Sequence, residues 1–208
     1  MIIEQFPLLS RFSRLQHAFS TRSDFTQLQE AEADRAKAIA GAGFPLTRAV
    51  QAEQPHGCLV GPVLNECMAG HYLPGVDALV TRLIQVPLII RVADCGPVYL
   101  YDPEHQSIGL AHSGRKGTEA NIVGKTILAM KEHFGSQPEN LIVQLGPCIR
   151  PPHYPVDFAA KIGFQAKAAG VAHFEDCGTC TADQVTRYYS YRAEKGNTGR
   201  MWAIMMLK

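Results

Sequence analysis

Val123, Ile127, Met130 and Phe134 recur at i, i+4, i+7 and i+11, which places one apolar stripe on a helix. Gly135 supplies its stop signal, and Thr118 is the expected cap at its start. Phe158, Ile162, Gln165 or Ala166, and Ala169 repeat the stripe, with Gly170 closing it. Ala31 to Ala40, rich in Ala, Glu and Lys and followed by Gly41, predicts a third helix from propensity rather than from periodicity. Short apolar, β-branched runs lie between these segments. Leu88–Val92 and Pro97–Tyr101 predict a buried strand pair or one bent strand, followed by a turn at Asp102-Pro103. Ser107–Ala111 and Leu141–Leu145 predict further strands, the latter stopped by Gly146-Pro147, and Met201–Leu207 predicts a closing strand. Interspersed strands and helices predict a mixed α/β class. With no repeat, low-complexity tract or linker, one domain over residues 1–208 is the simplest organisation.

Composition narrows the class. Apolar residues make up 46% of the 208 residues and charged residues 19%, a folded rather than disordered balance. Lys and Arg number 20 against 19 acids, a net charge of +1, which argues against a broad nucleic-acid or membrane-surface footprint. The longest apolar run, Val86–Val92, contains Pro87 and Arg91 and is too short to span a bilayer. Glu4 stands where a secretion signal carries Lys or Arg, so a cytoplasmic location is expected. There the six cysteines are expected as thiols or metal ligands rather than disulfides.

The candidate chemistry concentrates between Asp77 and Thr118. Asp94-Cys95 follows one strand run and His112 ends another, each before a glycine-containing loop, and strand ends feeding loops commonly carry sites. His56, in Gln54-Pro55-His56-Gly57, has a similar turn setting. Cys, His and His suit zinc, and three protein ligands leave a fourth position for water or substrate. The same atoms support a second chemistry, a Cys95 thiolate with His112 as its base and Asp94 or Asp77 orienting the imidazole. A buried thiol beside two ordinary histidines is the plain alternative. Ser113-Gly114-Arg115-Lys116-Gly117-Thr118 enters a helix with small residues and two cations, a pattern that suits phosphate or carboxylate but lacks the Walker spacing. Cys177 and Cys180 form a lone C-x-x-C with no second pair, which reads as structural or incidental thiols. Arg22 and Arg192 read as structural or surface charges. Of the remaining histidines, His71 and His153 lie beside Gly/Pro-rich segments.

Taken in order, Gln54-Pro-His56-Gly, Asp77–Thr81, Ala93-Asp-Cys95-Gly-Pro97, Ala111–Thr118 and Gly146–Ile149 resemble the motifs of the YfiH, or laccase-domain, family. His17–Arg22, Cys180-Thr181, Tyr189–Arg192 and Thr198–Arg200 extend the resemblance over nearly the whole chain. It implies an α/β sandwich of mixed β-sheets flanked by helices, similar to cytotoxic-necrotizing-factor-type cysteine hydrolases. It further implies zinc held by His56, Cys95 and His112, and phosphorolysis of adenosine, inosine or guanosine to base and ribose 1-phosphate. Adenosine deamination and editing of peptidoglycan precursors are related implied activities. In that scheme Cys95, His112 and Asp94 are the expected catalytic residues. Arg115, Lys116 and Thr118 are the expected contacts to a small-molecule substrate, a purine nucleoside with phosphate. A multicopper oxidase reading is disfavoured, because no series of His-rich copper motifs is visible. The chain departs from the family at Ser113, Arg115 and Lys116, where members usually have Ala, Trp and Arg, and at His153, where many have Cys.

Overall fold

The computed structural model describes residues 1–208. Its strands are β1 (Ile3–Glu4), β2 (Leu15–Ser20), β3 (Val50–Ala52), β4 (Val60–Val63), β5 (Tyr72–Leu73) and β6 (Ala78–Thr81) in the first half. They continue as β7 (Leu88–Val92), β8 (Gly96–Asp102), β9 (Ser107–Ser113), β10 (Ile142–Leu145), β11 (His173–Asp176) and β12 (Met201–Leu207). The helices are α1 (Pro7–Ser10), α2 (Leu28–Gly41), α3 (Arg115–Glu119), α4 (Ile122–Phe134) and α5 (Phe158–Ala168).

Two six-stranded sheets form, in the orders β1-β2-β12-β7-β3-β5 and β11-β10-β8-β9-β6-β4. Both are mixed: β3 runs parallel to β5 and β7, β4 to β6, and β10 to β11, while the other pairs are antiparallel. The sheets pack face to face. Phe19, Leu88, Ile90 and Met205 from the first meet Leu79, Tyr99, Leu110 and Ile142 from the second in one cluster. Helices α4 and α5 cover the outer face of the second sheet, burying Val98, Leu100 and Val143 against Ile122, Met130 and Ile162. Helix α2 covers the first sheet, with Ile39 against Ala18, Ile89 and Ile204. This is an α/β sandwich of mixed sheets with flanking helices. Strands such as β7 and β8 read as continuous apolar runs because both their faces are covered.

Leu88–Val92 and Pro97–Tyr101 turn out to be neither a pair nor one bent strand. They are β7 of one sheet and β8 of the other, and residues 93–95 carry the chain across. Tyr99 ties the sheets where they face, its hydroxyl donating to the Ala18 carbonyl at 2.9 Å. A second correction concerns Thr118. It lies inside α3 and is fully buried, and the cap of α4 is Asn121. Asn121 adopts a left-handed backbone (φ 59°), and its side chain accepts from Gly124 N. Asn takes that conformation at low cost and is also a favoured N-cap, so directly after Ala120 closes α3 it turns the chain into α4. The closing strand expected over Met201–Leu207 is present as β12 and lies between β2 and β7.

Candidate active site

The crossing between sheets places Cys95 at the head of β8, directly opposite the end of β9. Gly96 pairs with Ser113 and Pro97 with His112. A third arm, the loop after β3, brings His56 alongside. Gln54 docks this loop with its side chain, donating to Arg91 O at 2.6 Å and accepting from Arg91 N at 2.7 Å, as a further strand residue would. Gln54 and His56 both hold left-handed backbone, at φ 65° and 64°. Non-glycine residues there carry strain that surrounding bonds must sustain.

Asp77, fully buried, sustains it. Its carboxylate accepts from His56 N at 3.0 Å, from Gly57 N at 2.6 Å and from His112 Nδ1 at 2.9 Å. The last bond fixes the imidazole so that Nε2 is free for the site. Of the two aspartates considered from sequence as orienting groups, Asp77 has this role.

The His56, Cys95 and His112 donor atoms all lie within 4.8 Å of one another, and the two rings stand edge to face with centroids 4.9 Å apart. Burial pushes the Cys95 thiol up, but the charge on His112 and hydrogen bonds from His112 and His56 outweigh it and bring the thiol down to about 6. Burial likewise pushes His112 down, while the Cys95 thiolate and Asp77 raise it to about 9. A thiolate between two imidazoles is a soft-to-borderline donor set, and a tetrahedral zinc with bonds of about 2.0–2.3 Å would need donor separations of roughly 3.5 Å, within the observed spread. A cation there would replace the proton on His112. The residues therefore fit such an ion. Gly114 allows this packing: a Cβ on it would lie 2.6 Å from Cys95 Sγ.

The other expected residues fall differently. Asp94, at φ 82°, accepts from Thr181 Oγ1 and from Arg192 N, each at 2.7 Å, and its carbonyl accepts from Ile149 N. Both carboxylate oxygens are thus committed to anchoring the C-terminal loop. The Thr118 hydroxyl bonds the Gly114 carbonyl and Ser113 Oγ beneath the surface, so it supports the loop instead of reaching substrate. Arg115 and Lys116 line a cleft of about 1480 Å³ whose base is the His56–Cys95–His112 cluster. Arg115 pairs with Glu119 at 3.0 Å.

Sequence reasoning missed Arg91, Tyr154 and Lys195, which also line the cleft, and assigned Arg192, another lining residue, only a surface or structural charge. Arg192 lies over the Tyr154 ring, 5.0 Å from its centroid. Arg22, by contrast, forms the structural pair expected of it, with Glu194 at 2.8 Å. No helix is long and apolar enough to cross a membrane.

Fold and centre together define a class: two-sheet α/β sandwiches that carry a thiolate between two imidazoles at their strand ends. The particular family follows from comparison with known proteins. The chain belongs to the multi-copper polyphenol oxidoreductase laccase family, whose model matches residues 10–168 and 153–208. It is 32% identical over 200 residues to a purine nucleoside phosphorylase of Deinococcus radiodurans, covering 84% of this chain and 76% of that protein. It is 30% identical over 200 residues to purine nucleoside phosphorylase YlmD of Geobacillus stearothermophilus, covering 78% of this chain and 73% of the relative. The crystal structure of YlmD from Geobacillus stearothermophilus superposes with a TM-score of 0.87 at 24% identity, over 98% of this chain and 94% of that one. Bacillus licheniformis YfiH gives 0.86 at 22% identity, over 93% of each chain.

Proposed function

We propose that this chain is a zinc-dependent purine nucleoside phosphorylase, converting adenosine, inosine or guanosine and phosphate to the free base and ribose 1-phosphate. The observation that carries the proposal is the cleft itself. Exposed cations, Lys116, Arg192 and Lys195, ring the His56–Cys95–His112 centre, and the rings of Tyr154 and Tyr191 stand beside them. The names of the relatives support the same reaction.

In this reading His56, Cys95 and His112 would hold zinc, which when bound would supply Lewis acidity to the substrate. Lys116 and Arg192 bind phosphate and neutralise it as it approaches the sugar. The aromatic faces hold the purine. Asp77 keeps His112 Nε2 pointed at the centre. Asp94, the sequence-based candidate for protonating the departing base, accepts two hydrogen bonds and serves as an anchor for the loop that carries Arg192. Incubation with inosine, adenosine or guanosine, with and without phosphate, tests the reading by chromatography. Phosphate-dependent release of base and ribose 1-phosphate is expected, and a zinc-loaded protein that forms neither overturns it. Phosphate-independent release of ammonia from adenosine reports the additional deaminase activity.

A second reading rests on one observation: Cys95, His112 and Asp77 stand in the order nucleophile, base and orienting carboxylate. A thiol hydrolase acting on an amide of a cell-wall precursor would work in the presence of a chelator and stop on alkylation of Cys95. Activity retained after alkylation removes it.

A further inference from the structure

A second set of metal-type donors lies apart from the centre just described. His153, Cys180 and Asp183 bring an imidazole nitrogen, a thiol sulfur and a carboxylate oxygen within 4.8 Å of one another. Cys180 is 6% exposed, whereas His153 and Asp183 are exposed, so the thiol forms the base of a site open to solvent. His153 Nε2 and Asp183 Oδ1 are hydrogen-bonded to each other at 2.5 Å, so an ion entering here would take the place of the proton they share and spread the two donors apart.

The place in the fold gives this cluster a task. The segment from Cys177 to Arg200 contains no helix or strand, yet it supplies Tyr191, Arg192 and Lys195 to the cleft. Irregular segments of this length need fastening if they are to hold side chains in position. Its start is held by an isolated bridge, with Cys148 N donating to Thr179 O and Thr181 N to Cys148 O, both at 3.2 Å, and by Cys177 N donating to Leu145 O at 3.1 Å and Arg150 Nε to Thr179 O at 3.3 Å. Thr181 and Arg192 N in turn grip Asp94, the neighbour of Cys95. His153 sits across from this start, on the connection between β10 and α5.

We propose that His153, Cys180 and Asp183 form a second, structural site for a divalent ion of the zinc type, which clips the C-terminal loop to the β10–α5 connection. Thiolate and imidazole donors select zinc over magnesium or calcium, and a water completes the fourth position. The clip acts by reducing the freedom of the loop, as other closures of long segments do. It involves none of the residues of the first centre and does not depend on the nucleoside reading.

Metal counting tests it. The full chain is saturated with zinc, desalted and analysed for zinc by mass spectrometry, alongside Cys180→Ser, Asp183→Asn and His56→Ala. The site predicts one ion fewer per chain in Cys180→Ser than in the wild type. Asp183→Asn, an exposed change that spares the core, is expected to lose the same ion to a chelator at least tenfold faster. His56→Ala reports the first centre independently, and adding Cys95→Ala strips that centre of its sulfur, so the cobalt-loaded double variant is expected to keep a sulfur-to-cobalt absorption that vanishes on adding Cys180→Ser. Zinc content and release rate equal to wild type in both Cys180→Ser and Asp183→Asn overturn the proposal.

Discussion

The base of the cleft and its rim are built on opposite terms. At the base, the backbone and the sheets hold the donors: Asp77 alone accepts from three N–H groups, Gln54 stitches the His56 loop to β7, and Cys95 immediately precedes the register in which Pro97 pairs with His112. At the rim, Lys116, Arg192 and Lys195 are exposed side chains on loops or on the short α3. The contrast teaches that the geometry of the three donors is fixed by the sheets and the loops docked to them, while the charged rim rests on segments that can change without disturbing that geometry. Arg115 and Lys116 belong to the rim, whereas Ser113, buried at the end of β9, belongs to the base.

The sharpest way to break the contrast is to loosen the base. Asp77→Ala leaves His112 Nδ1 and two backbone N–H groups without their acceptor. We expect zinc affinity to fall by about 10–100-fold and kcat/KM by roughly 10²–10³-fold, read by metal titration and by base release. An effect no larger than that of a rim substitution would erase the distinction.

Acid probes the scaffold beneath both regions. His17, 1% exposed, accepts from Phe6 N at 2.8 Å, a bond only the neutral ring can make, and burial holds it down at about 4, from 6.5. The folded chain refuses a proton that the unfolded chain takes, so this contribution is complete above about 6.5 and is lost as pH falls toward 4. Stability should drop by about 3 kcal/mol over that window, measured by urea unfolding. His17→Gln should flatten that slope.

Gly114→Ala tests how closely the base is packed. The added Cβ, 2.6 Å from Cys95 Sγ, must displace the thiolate. A loss of about tenfold or more in kcat is expected with stability little changed, since a misplacement of this order is costly to catalysis. At the small end, Arg192→Ala should raise KM for phosphate by roughly 3–10-fold and leave kcat and zinc content near wild type, as removal of one exposed cationic contact would. A Gly114→Ala enzyme that changed only KM, or an Arg192→Ala enzyme that lost zinc, would reverse the roles of base and rim.

The same division explains what could be read from residues in order. Cys95 and His112 were legible because each ends an apolar run at a glycine, a local signal, and His56 because it lies in a turn. The helices α4 and α5 were legible from their stripes. The step from β7 to β8 was not: both runs are covered on two faces, so nothing in their composition says that they belong to different sheets. Thr118 looked like a cap because its residue type suits one, yet Asn121, three residues on, has the left-handed backbone and makes the bond. Tyr154, Arg91 and Lys195 carried no local mark, since only the fold brings them around one cleft. The role of Asp77 over Asp94 was likewise a matter of distance in space.

The placing of β12 has a consequence for how the protein is made. Residues 201–207 fill the slot between residues 15–20 and 88–92, so the first sheet stands open through most of synthesis. At translation rates of about 5–20 residues per second, β2 and β7 wait for several seconds with bare edges on the ribosome. In that interval the nascent chain presents two unpaired strand edges to its neighbours, the state in which a sheet is open to pairing with another chain.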